Sequence, residues 1–244
     1  MITVEGLGKI YRSKDGIVDA LEHVSLEIPQ GQVIGLFGEN GAGKSTLMKS
    51  ILGYLTHDGA VRLDGEPITR KNITRLSFAT IEHSFFPGLT AEEHRDFYRE
   101  QFPNFREKRF AGLMNFFELP MNRPARAMSI GQQNQLEVIL ALSQGADYIF
   151  MDEPFAGNDI FNREDFYKVL MGILEPTETI ILSTHLLEEV SGFVDRIILL
   201  HKGHLIGDRM MSDLEDEGMT MMEYVEQAYS YKAGRAAKAI ATMV

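Results

Sequence analysis

Residues 32–46 read QVIGLFGENGAGKST, an apolar run followed by a glycine-rich stretch. The apolar run over 32–37 predicts a strand that is buried on both faces. From Ser45 onward, apolar residues recur at intervals of three and four, which predicts a helix. The stretch therefore predicts a buried strand that turns through glycines directly into a helix, and this arrangement places the chain in the α/β class.

The glycine-rich stretch, GENGAGKST, matches the pattern G-x-x-x-x-G-K-[ST] of loops that bind phosphate. Backbone N–H groups of such a loop point at phosphate oxygens, and the dipole of the following helix adds positive potential. Lys44 is expected to reach the β- and γ-phosphates, and the Ser45 hydroxyl is expected to ligate Mg²⁺. The sequence thus predicts a nucleotide site that contains Gly38, Glu39, Asn40, Gly41, Ala42, Gly43, Lys44, Ser45 and Thr46.

The rest of the chain alternates predicted strands with predicted helices. Residues 147–154, 178–185 and 195–203 contain short apolar runs, while the N-terminal segments ITVEGL and VSLEI alternate apolar with polar residues, as half-buried strands do. Residues 84–145 are largely helical in pattern and interrupt the series of strands. These patterns predict a P-loop NTPase core with a mostly parallel sheet, an N-terminal antiparallel β subdomain and an inserted α-helical subdomain.

Three polar residues follow predicted strands, at the edge where sheets of this kind bind ligands. Asp152 ends one strand and is expected to hold Mg²⁺, and Glu153 beside it is expected to act as a general base toward water. An Asp-Glu-Pro sequence can also simply end a strand, but the phosphate loop favours the functional interpretation. His185 ends the next strand, where a histidine can equally cap a helix or pack in the core. The predicted catalytic residues are therefore Glu153 and His185.

Residues 128–135, MSIGQQNQ, contain no acid, base, thiol or metal ligand. Ser129 and Gln132 form the Ser-x-x-Gln pattern of a capping box, so the simplest interpretation is the start of a helix. A capped helix N-terminus with Gly131 in its first turn is also an anion site that could hold a γ-phosphate. Because the loop at 38–46 already serves one nucleotide, this second site needs another nucleotide, and a second copy of the protein is its simplest source.

Composition limits the classes of partner. The chain has 244 residues, no cysteine and a formal net charge of −11, so it lacks the basic footprint of a nucleic-acid-binding protein. The same charge argues against adhesion to anionic lipids, and no apolar stretch approaches the length of a membrane span. We therefore expect no nucleic-acid partner, a cytosolic setting that fits the missing cysteines, and attachment to a membrane only through another protein.

Together these segments resemble the ATP-binding subunit of an ABC transporter, over about residues 1–210. The shared features come in the family's order: an aromatic A-loop candidate (Tyr11), a Walker A loop (38–46), a signature-like MSIGQ (128–132), a Walker B strand with its acid (148–153), a D-loop-like AGND (156–159) and a switch histidine (His185). The resemblance implies an ABC-type ATPase domain over 1–210, with its helical subdomain at about 84–145, followed by a C-terminal helical extension over 211–244.

By that resemblance, two subunits bind head to tail, as a homodimer or a heterodimer, and sandwich two ATP molecules with Mg²⁺. Each ATP lies between the Walker A loop of one subunit and Ser129, Gly131 and Gln132 of the other. The helical subdomain contacts an integral membrane permease, which holds the subunit at the cytoplasmic face of the cell membrane. The remaining implied roles are adenine stacking by Tyr11, coupling of the two sites by Asp159, activation of water by Glu153 and contact with the γ-phosphate by His185.

Four positions depart from the family's pattern. Ile130 stands where the signature usually has glycine, Gln133 stands where a basic residue is usual, and Asn158 replaces a common apolar residue in the D-loop. The segment FATIEHSFFPGLT has no glutamine where a Q-loop is expected and offers Glu82 instead, whose carboxylate could reach the Mg²⁺ shell. Similar departures occur among cassettes of drug and antimicrobial-peptide exporters, so we expect a subunit that powers export.

An alternative function is a soluble ABC-type ATPase that acts on cytosolic machinery such as iron–sulfur assembly. The tail does not decide between the two. Within it, Met222, Val225, Ala228 and Tyr229 recur at helical spacing, which predicts packing against the chain's own domain. Further along, Lys232, Arg235 and Lys238 predict the solvated face of a helix.

Overall fold

The computed structural model describes residues 1–14, 16–154, 160–184 and 187–229. Within these residues the strands are β1 (Ile2–Ser13), β2 (Gly16–Ile28), β3 (Val33–Phe37), β4 (Asp58–Leu63), β5 (Glu66–Pro67), β6 (Leu76–Thr80), β7 (Tyr148–Asp152), β8 (Thr179–Ser183), β9 (Arg196–His201) and β10 (His204–Met210). The α-helices are α1 (Lys44–Ile51), α2 (Ala91–Gln101), α3 (Glu107–Phe116), α4 (Ile130–Ser143), α5 (Ile160–Ile173), α6 (Leu187–Val190), α7 (Met211–Asp216) and α8 (Met221–Ala228).

A large sheet forms the centre of the molecule. Its strand order is β10-β9-β3-β8-β7-β6, and the pairs among β6, β7, β8, β3 and β9 are all parallel. Only β10 runs antiparallel within this sheet, beside β9. Because parallel strands end at a common edge, the C-terminal ends of β3, β7 and β8 lie together there. The predicted mostly parallel sheet is confirmed.

A second, smaller sheet is antiparallel and has the order β2-β1-β4-β5. Ile2 of β1 pairs with Ile28 of β2 and with Leu63 of β4, and all three side chains are buried. The predicted N-terminal antiparallel β subdomain is therefore also confirmed.

Two apolar clusters hold the layers together. One joins the small sheet and α1 to one face of the large sheet, where Leu47 and Met48 of α1 pack with Ile34 and Leu36 of β3. The other joins the opposite face of the large sheet to the remaining helices. The adjacent β3 residues Leu36 and Phe37 thus belong to different clusters. This two-faced burial is why the strand at 33–37 is apolar at every position except glycine.

The helical segment α2–α4 is fastened to the large sheet by a buried ion pair. Arg109 of α3 donates from Nη1 and Nη2 to the two carboxylate oxygens of Glu178, at 2.8 Å each. The Arg109 Nη1 group also donates to the Leu142 carbonyl in the last turn of α4, and the Arg106 N–H donates to the Ser143 carbonyl. A bidentate arginine–carboxylate pair fixes orientation as well as distance. The C-terminal end of α4 is therefore anchored.

The C-terminal part of the described chain packs back on its own domain. Val225, Ala228 and Tyr229 contact the core cluster, as the helical spacing predicted. Met222 was wrongly placed in that stripe, because it is 39% exposed and Met221 is buried instead. Lys232, Arg235 and Lys238 lie outside the described residues. Along the described residues, none of the helices combines the length and apolar character that crossing a membrane requires.

Candidate functional site

The loop after β3 folds around a cavity of about 210 Å³. Its walls combine this loop with residues from the small sheet and from the end of β7, and they are Val18, Ala20, Asn40, Gly41, Ala42, Gly43, Lys44, Ser45, Thr46, Asp152 and Glu153. Helix α1 begins inside this cavity, and its N-cap residue, Gly43, provides no side-chain cap. The first N–H groups of α1 therefore keep their capacity to bind an anion.

Two glycines of the loop are required by their surroundings. A Cβ atom at Gly38 would lie 2.4 Å from the carbonyl oxygen of Leu200, which no side chain could accommodate. Gly43 has a φ of +109°, and a Cβ there would lie 2.5 Å from the carbonyl oxygen of Ala20. Glycine supplies both the close approach and the left-handed backbone that this turn needs. The glycine pattern read from the sequence thus has a steric basis.

Lys44 is folded over the loop that carries it. Its Nζ donates to the Gly38 carbonyl at 2.7 Å and to the Glu39 carbonyl at 3.3 Å, and the residue is buried. An ammonium group has three donors. The loop therefore presents a cation at its mouth, where an entering phosphate would exchange these carbonyl contacts for stronger, charge-assisted ones.

The acids at the end of β7 are held by β8. Ser183 donates from Oγ to Asp152 Oδ1 at 2.5 Å, and the Glu153 N–H donates to both the carbonyl and the Oγ of Ser183 at 3.1 Å. Glu153 has a φ of 49°, a left-handed conformation that is uncommon for residues other than glycine. The strand therefore stops abruptly, and Glu153 becomes part of the cavity wall.

Ser183 was missed by the sequence reasoning. A signal was available, because Ser183 ends a buried strand two residues before His185, at the same edge of the sheet. Its partner Asp152 lies 31 positions earlier in the sequence, and no local pattern connects the two residues. His185 itself lies outside the described residues, as do Asn158 and Asp159.

The oxygen donors of the cavity fit Mg²⁺ as a companion of the nucleotide. The Ser45 hydroxyl and the Asp152 carboxylate line the same cavity. Among the described residues there is no cluster of three or more His, Cys, Asp or Glu that could hold a metal ion. Mg²⁺ is usually bound by one or two carboxylates together with substrate phosphates rather than by a full protein cage. This donor set therefore suits an ion that arrives with a nucleotide.

Tyr11 lies at the rim of this site. It is paired in the small sheet with Val18, which lines the cavity, and its hydroxyl is 3.5 Å from Thr46 Oγ1. The ring is 41% exposed, and Lys9 Nζ lies 5.2 Å from its centroid. An exposed aromatic face beside the phosphate loop is available for stacking.

Glu82 lies elsewhere in the described structure. Its carboxylate is 2.7 Å from Lys49 Nζ and its side chain is 70% exposed, and it does not belong to the walls of the phosphate-loop cavity. For Glu82 to reach a metal shell, this ion pair would have to separate. An exposed ion pair of this kind contributes about 1 kcal/mol or less of free energy, so separating Glu82 from Lys49 costs little.

The residues after Glu82 are tied to helix α4. Ser84 donates from its backbone N–H and its Oγ to Glu137 Oε1, at 3.0 and 2.6 Å, and His83 Nε2 lies 2.7 Å from Asn134 Oδ1. Glu137 is only 2% exposed, and burial raises its pKa although the Ser84 hydrogen bonds oppose this shift. Glu137 was not found from the sequence, since its partner is 53 positions away.

The start of α4 has the predicted capping box. Ser129 Oγ accepts from the Gln132 N–H at 3.2 Å, and Gln132 Oε1 accepts from the Ser129 N–H at 3.1 Å. Ile130 is 75% exposed. None of Ser129, Gly131 and Gln132 belongs to the described walls of the phosphate-loop cavity. Among the described residues of one chain, therefore, the starts of α1 and α4 do not share a cavity.

Comparison with known proteins gives a consistent result. The family model described as ABC transporter matches residues 21–156. The ABC transporter ATP-binding protein NatA of Bacillus subtilis (strain 168) is 29% identical over 237 residues, which cover 92% of this chain and 96% of that protein. The SkfA peptide export ATP-binding protein SkfE of the same organism is 28% identical over 232 residues, with coverages of 92% and 95%.

Solved structures share the fold. A structure of an ATP-binding subunit of an ABC transporter superposes with a TM-score of 0.80 at 23% identity, with coverages of 93% of this chain and 98% of that chain. A dimeric ATP-binding cassette in a post-hydrolysis state, bound to ADP and Pi, superposes with a TM-score of 0.75 at 23% identity, with coverages of 86% and 99%.

Proposed function

This chain belongs to the ABC transporter family of ATP-binding subunits and is an ATPase of that family, and we propose that it powers export through a separate membrane permease. One observation carries the proposal. A single cavity collects Lys44 and Ser45 from the phosphate loop and Asp152 and Glu153 from the end of β7. These are a phosphate-binding cation, two oxygen donors for a metal and a candidate base.

The proposed reaction uses Glu153 as general base. The phosphates bind the loop amides and Lys44. On binding, the Lys44 ammonium gives up its hydrogen bonds to the Gly38 and Glu39 carbonyls and donates to phosphate oxygens instead. Glu153 takes a proton from water as the water oxygen forms a bond to the γ-phosphorus. The bond from that phosphorus to the β–γ bridging oxygen breaks, and its electron pair leaves with ADP. Mg²⁺ held by Ser45 and Asp152 would supply neutralisation of the phosphate charge.

The second anion-binding helix start supports a head-to-tail dimer. In its capping box, Ser129 Oγ accepts one hydrogen bond, and a hydroxyl retains its O–H for donation. Ser129, Gly131 and Gln132 would thus bind the γ-phosphate held by the loop of a second copy. A γ-phosphate that bridges two surfaces closes the dimer, and its loss on hydrolysis opens it. The solved neighbour that is dimeric and bound to ADP and Pi supports this arrangement.

The other residue roles are proposed on the same basis. Tyr11 would stack on adenine, since its exposed ring lies beside Thr46. Glu82 would join the outer Mg²⁺ shell after separating from Lys49. Outside the described residues, His185 would contact the γ-phosphate and Asp159 would couple the two sites. The ATPase domain would comprise residues 1–210, with the helical subdomain at about 84–145 and the extension at 211–244.

Export is the finer part of the proposal. It rests on Ile130 and Glu82, which depart from the family's pattern as in peptide and drug exporters, and the relative named SkfA peptide export ATP-binding protein SkfE matches this chain over nearly its whole length. Another relative is named for ribose import, so the direction of transport needs its own test. The permease would hold the subunit at the cytoplasmic face of the membrane.

The partner is tested by extracting the tagged, full chain from its host in mild detergent. We expect a polytopic membrane protein to co-purify, and inside-out vesicles that contain the pair should accumulate the substrate when given ATP. Recovery of the chain with soluble proteins alone would instead support the cytosolic-machinery alternative, and efflux from such vesicles would contradict export.

The catalytic assignment is tested by Glu153→Gln. This variant should bind Mg-ATP, lose about 10²–10⁴-fold in turnover and accumulate a dimer on size exclusion in the presence of Mg-ATP. Glu66→Gln, on the exposed β5, is the matched control and should behave as the parent. Turnover at the parent rate by Glu153→Gln would remove the base from the mechanism.

A further inference from the structure

Helix α8 reaches the phosphate loop through Tyr229, which directly follows it. The Tyr229 hydroxyl donates to the Leu200 carbonyl oxygen at 2.9 Å. A Cβ atom at Gly38 would lie only 2.4 Å from that same oxygen. Tyr229 therefore holds the carbonyl group against which the first glycine of the loop is packed.

A second contact runs from the Tyr229 ring to the next loop residue. The ring meets His201 edge to face, with 5.1 Å between centroids and an interplanar angle of 83°. His201 Nδ1 lies 4.0 Å from a carboxylate oxygen of Glu39, and in the described part of the chain this nitrogen has no hydrogen-bond partner. Tyr229 thus contacts Leu200, which packs against Gly38, and His201, which lies near Glu39. Gly38 and Glu39 are the first two residues of the phosphate loop and are called the loop entry below.

Tyr229 also lines a cavity between helix α8 and the start of the phosphate loop. This cavity has a volume of about 440 Å³, with Phe37, Gly38 and Glu39 on the loop side and Val225 and Tyr229 on the helix side. A cavity provides no packing contacts to hold the loop entry. The hydrogen bond to Leu200 and the ring contact with His201 therefore constrain the loop on the side that faces the cavity, whereas the Leu200 carbonyl packs against Gly38 from β9.

The position of this entry matters for Lys44. The Lys44 ammonium donates to the carbonyl groups of Gly38 and Glu39. Tyr229 is connected to these two residues through Leu200 and His201 of β9. A loop that is already ordered in its binding conformation does not lose that ordering free energy when the ligand binds. A displaced entry would move the partners of Lys44 and would make the loop order itself on each binding event.

We propose that Tyr229 is a positioning residue for nucleotide binding, which keeps Gly38 and Glu39 in the conformation that ATP requires. The inference rests on the proposed ATP site at the phosphate loop. It gives the C-terminal extension a role in the affinity for ATP and none in the chemical step.

The test compares two Tyr→Phe substitutions in the same part of the chain. Tyr229→Phe keeps the ring and removes the hydroxyl that binds Leu200. Tyr224→Phe is the matched control, because the Tyr224 hydroxyl lies beside Gly207 of β10 rather than against the loop. We expect Tyr229→Phe to raise the Kd and KM for Mg-ATP by about two- to tenfold, the effect of one neutral hydrogen bond, with kcat changed less than twofold. Tyr224→Phe should leave Kd and KM unchanged.

A second measurement detects the loop directly. In hydrogen exchange without nucleotide, the amides of residues 38–41 should exchange faster in Tyr229→Phe than in the parent, while those of the large sheet should keep their protection. Unchanged Kd with unchanged exchange at 38–41 would overturn the proposal, and so would an equal rise in Kd in Tyr224→Phe. Absence of ATP binding by the parent chain would instead contradict the proposed function itself.

Discussion

Helices α1 and α4 both begin at a sequence suited to binding phosphate, yet their starts are built differently. The start of α1 has glycine as its N-cap and no side-chain cap, and it opens into a cavity made by its own chain. The start of α4 is closed by a reciprocal Ser129–Gln132 box, and the next residue, Ile130, faces solvent. The start of α1 thus faces a cavity within one chain, whereas the start of α4 lies on the surface.

The difference shows how one physical device can serve two purposes. In α1, all first-turn donors remain for the ligand, so one chain can hold a nucleotide. In α4, the box satisfies the Ser129 and Gln132 N–H groups and leaves those of Ile130 and Gly131, together with the Ser129 O–H. Such a surface is stable without ligand and can add a few hydrogen bonds when a phosphate is brought to it. Lys44→Ala, Ser129→Asp and Ile130→Ala test this distinction, and Glu137→Gln tests how α4 is linked to the segment after Glu82.

Lys44→Ala tests whether α1 and its loop bind ATP within a single chain. Removing a charge-assisted contact to phosphate should raise the Kd for Mg-ATP by about 10- to 150-fold, measured by equilibrium binding at concentrations where the chain is monomeric. Lys49→Ala is the control, because Lys49 lies on the same helix and pairs with Glu82. Equal losses in the two variants would mean that general charge, rather than the loop, determines binding.

Ser129→Asp tests the surface at α4. Aspartate is also a good N-cap, so the unfolding free energy should change by no more than about 0.5 kcal/mol. The added negative charge should repel a phosphate and lower turnover by at least about tenfold, while Kd in the single chain stays at the parent value. Thr90→Asp makes the same change in the capping box of α2 and should leave turnover unaffected. A loss of ATP affinity in monomeric Ser129→Asp would erase the distinction between the two helix starts.

Glu137→Gln tests how α4 is linked to the segment after Glu82. Burial raises the pKa of Glu137 in the folded chain, so the folded state holds its proton more tightly than the unfolded state does. The stabilising contribution of this group is therefore fully present below its unfolded pKa and is lost as pH rises through the folded pKa. Relative to Glu137→Gln, the parent should lose unfolding free energy as denaturation is followed from acid to neutral pH. A difference between the two proteins that does not vary with pH would contradict the shift.

Ile130→Ala should have the smallest effect. The side chain is exposed, so the unfolding free energy should stay within about 0.5 kcal/mol of the parent. If Ile130 limits the approach of phosphate to α4, then the dimer formed by Glu153→Gln with Mg-ATP should become tighter when Ile130→Ala is added. Analytical ultracentrifugation can measure this change, and a weaker dimer would show that Ile130 supplies contact area instead.

Sequence reasoning succeeded where the determinants are local. The capping boxes at Thr90 and Ser129 were predictable because partners three positions apart meet in any helix. The buried strands were predictable because both of their faces are covered. The assignment of Met222 to the packed stripe was wrong because Met221 and Met222, four and three positions before Val225, both fit helical spacing. Only tertiary packing selects between them, and it buries Met221.

The parts of the site that escaped prediction depend on distant contacts. Ser183 holds Asp152 from another strand, Glu137 binds Ser84 across the helical segment, and Tyr229 reaches Leu200 from the C-terminal end of the described chain. Each pair is far apart in sequence, and no periodicity connects its members. Their positions follow from the strand order of the large sheet, which a single sequence does not specify.

The most direct test of the central claim mixes two impaired variants, assayed at an ATP concentration where each alone turns over at no more than about a tenth of the parent rate. Lys44→Ala lacks a working loop but keeps Ser129, and Ser129→Asp keeps the loop but lacks a working surface. If each nucleotide is shared between two chains, the mixture should hydrolyse ATP at on the order of a quarter of the parent rate, because half of randomly formed dimers are mixed and each mixed dimer has one intact site. A mixture that does no better than the average of the two separate variants would contradict a nucleotide site shared by two copies.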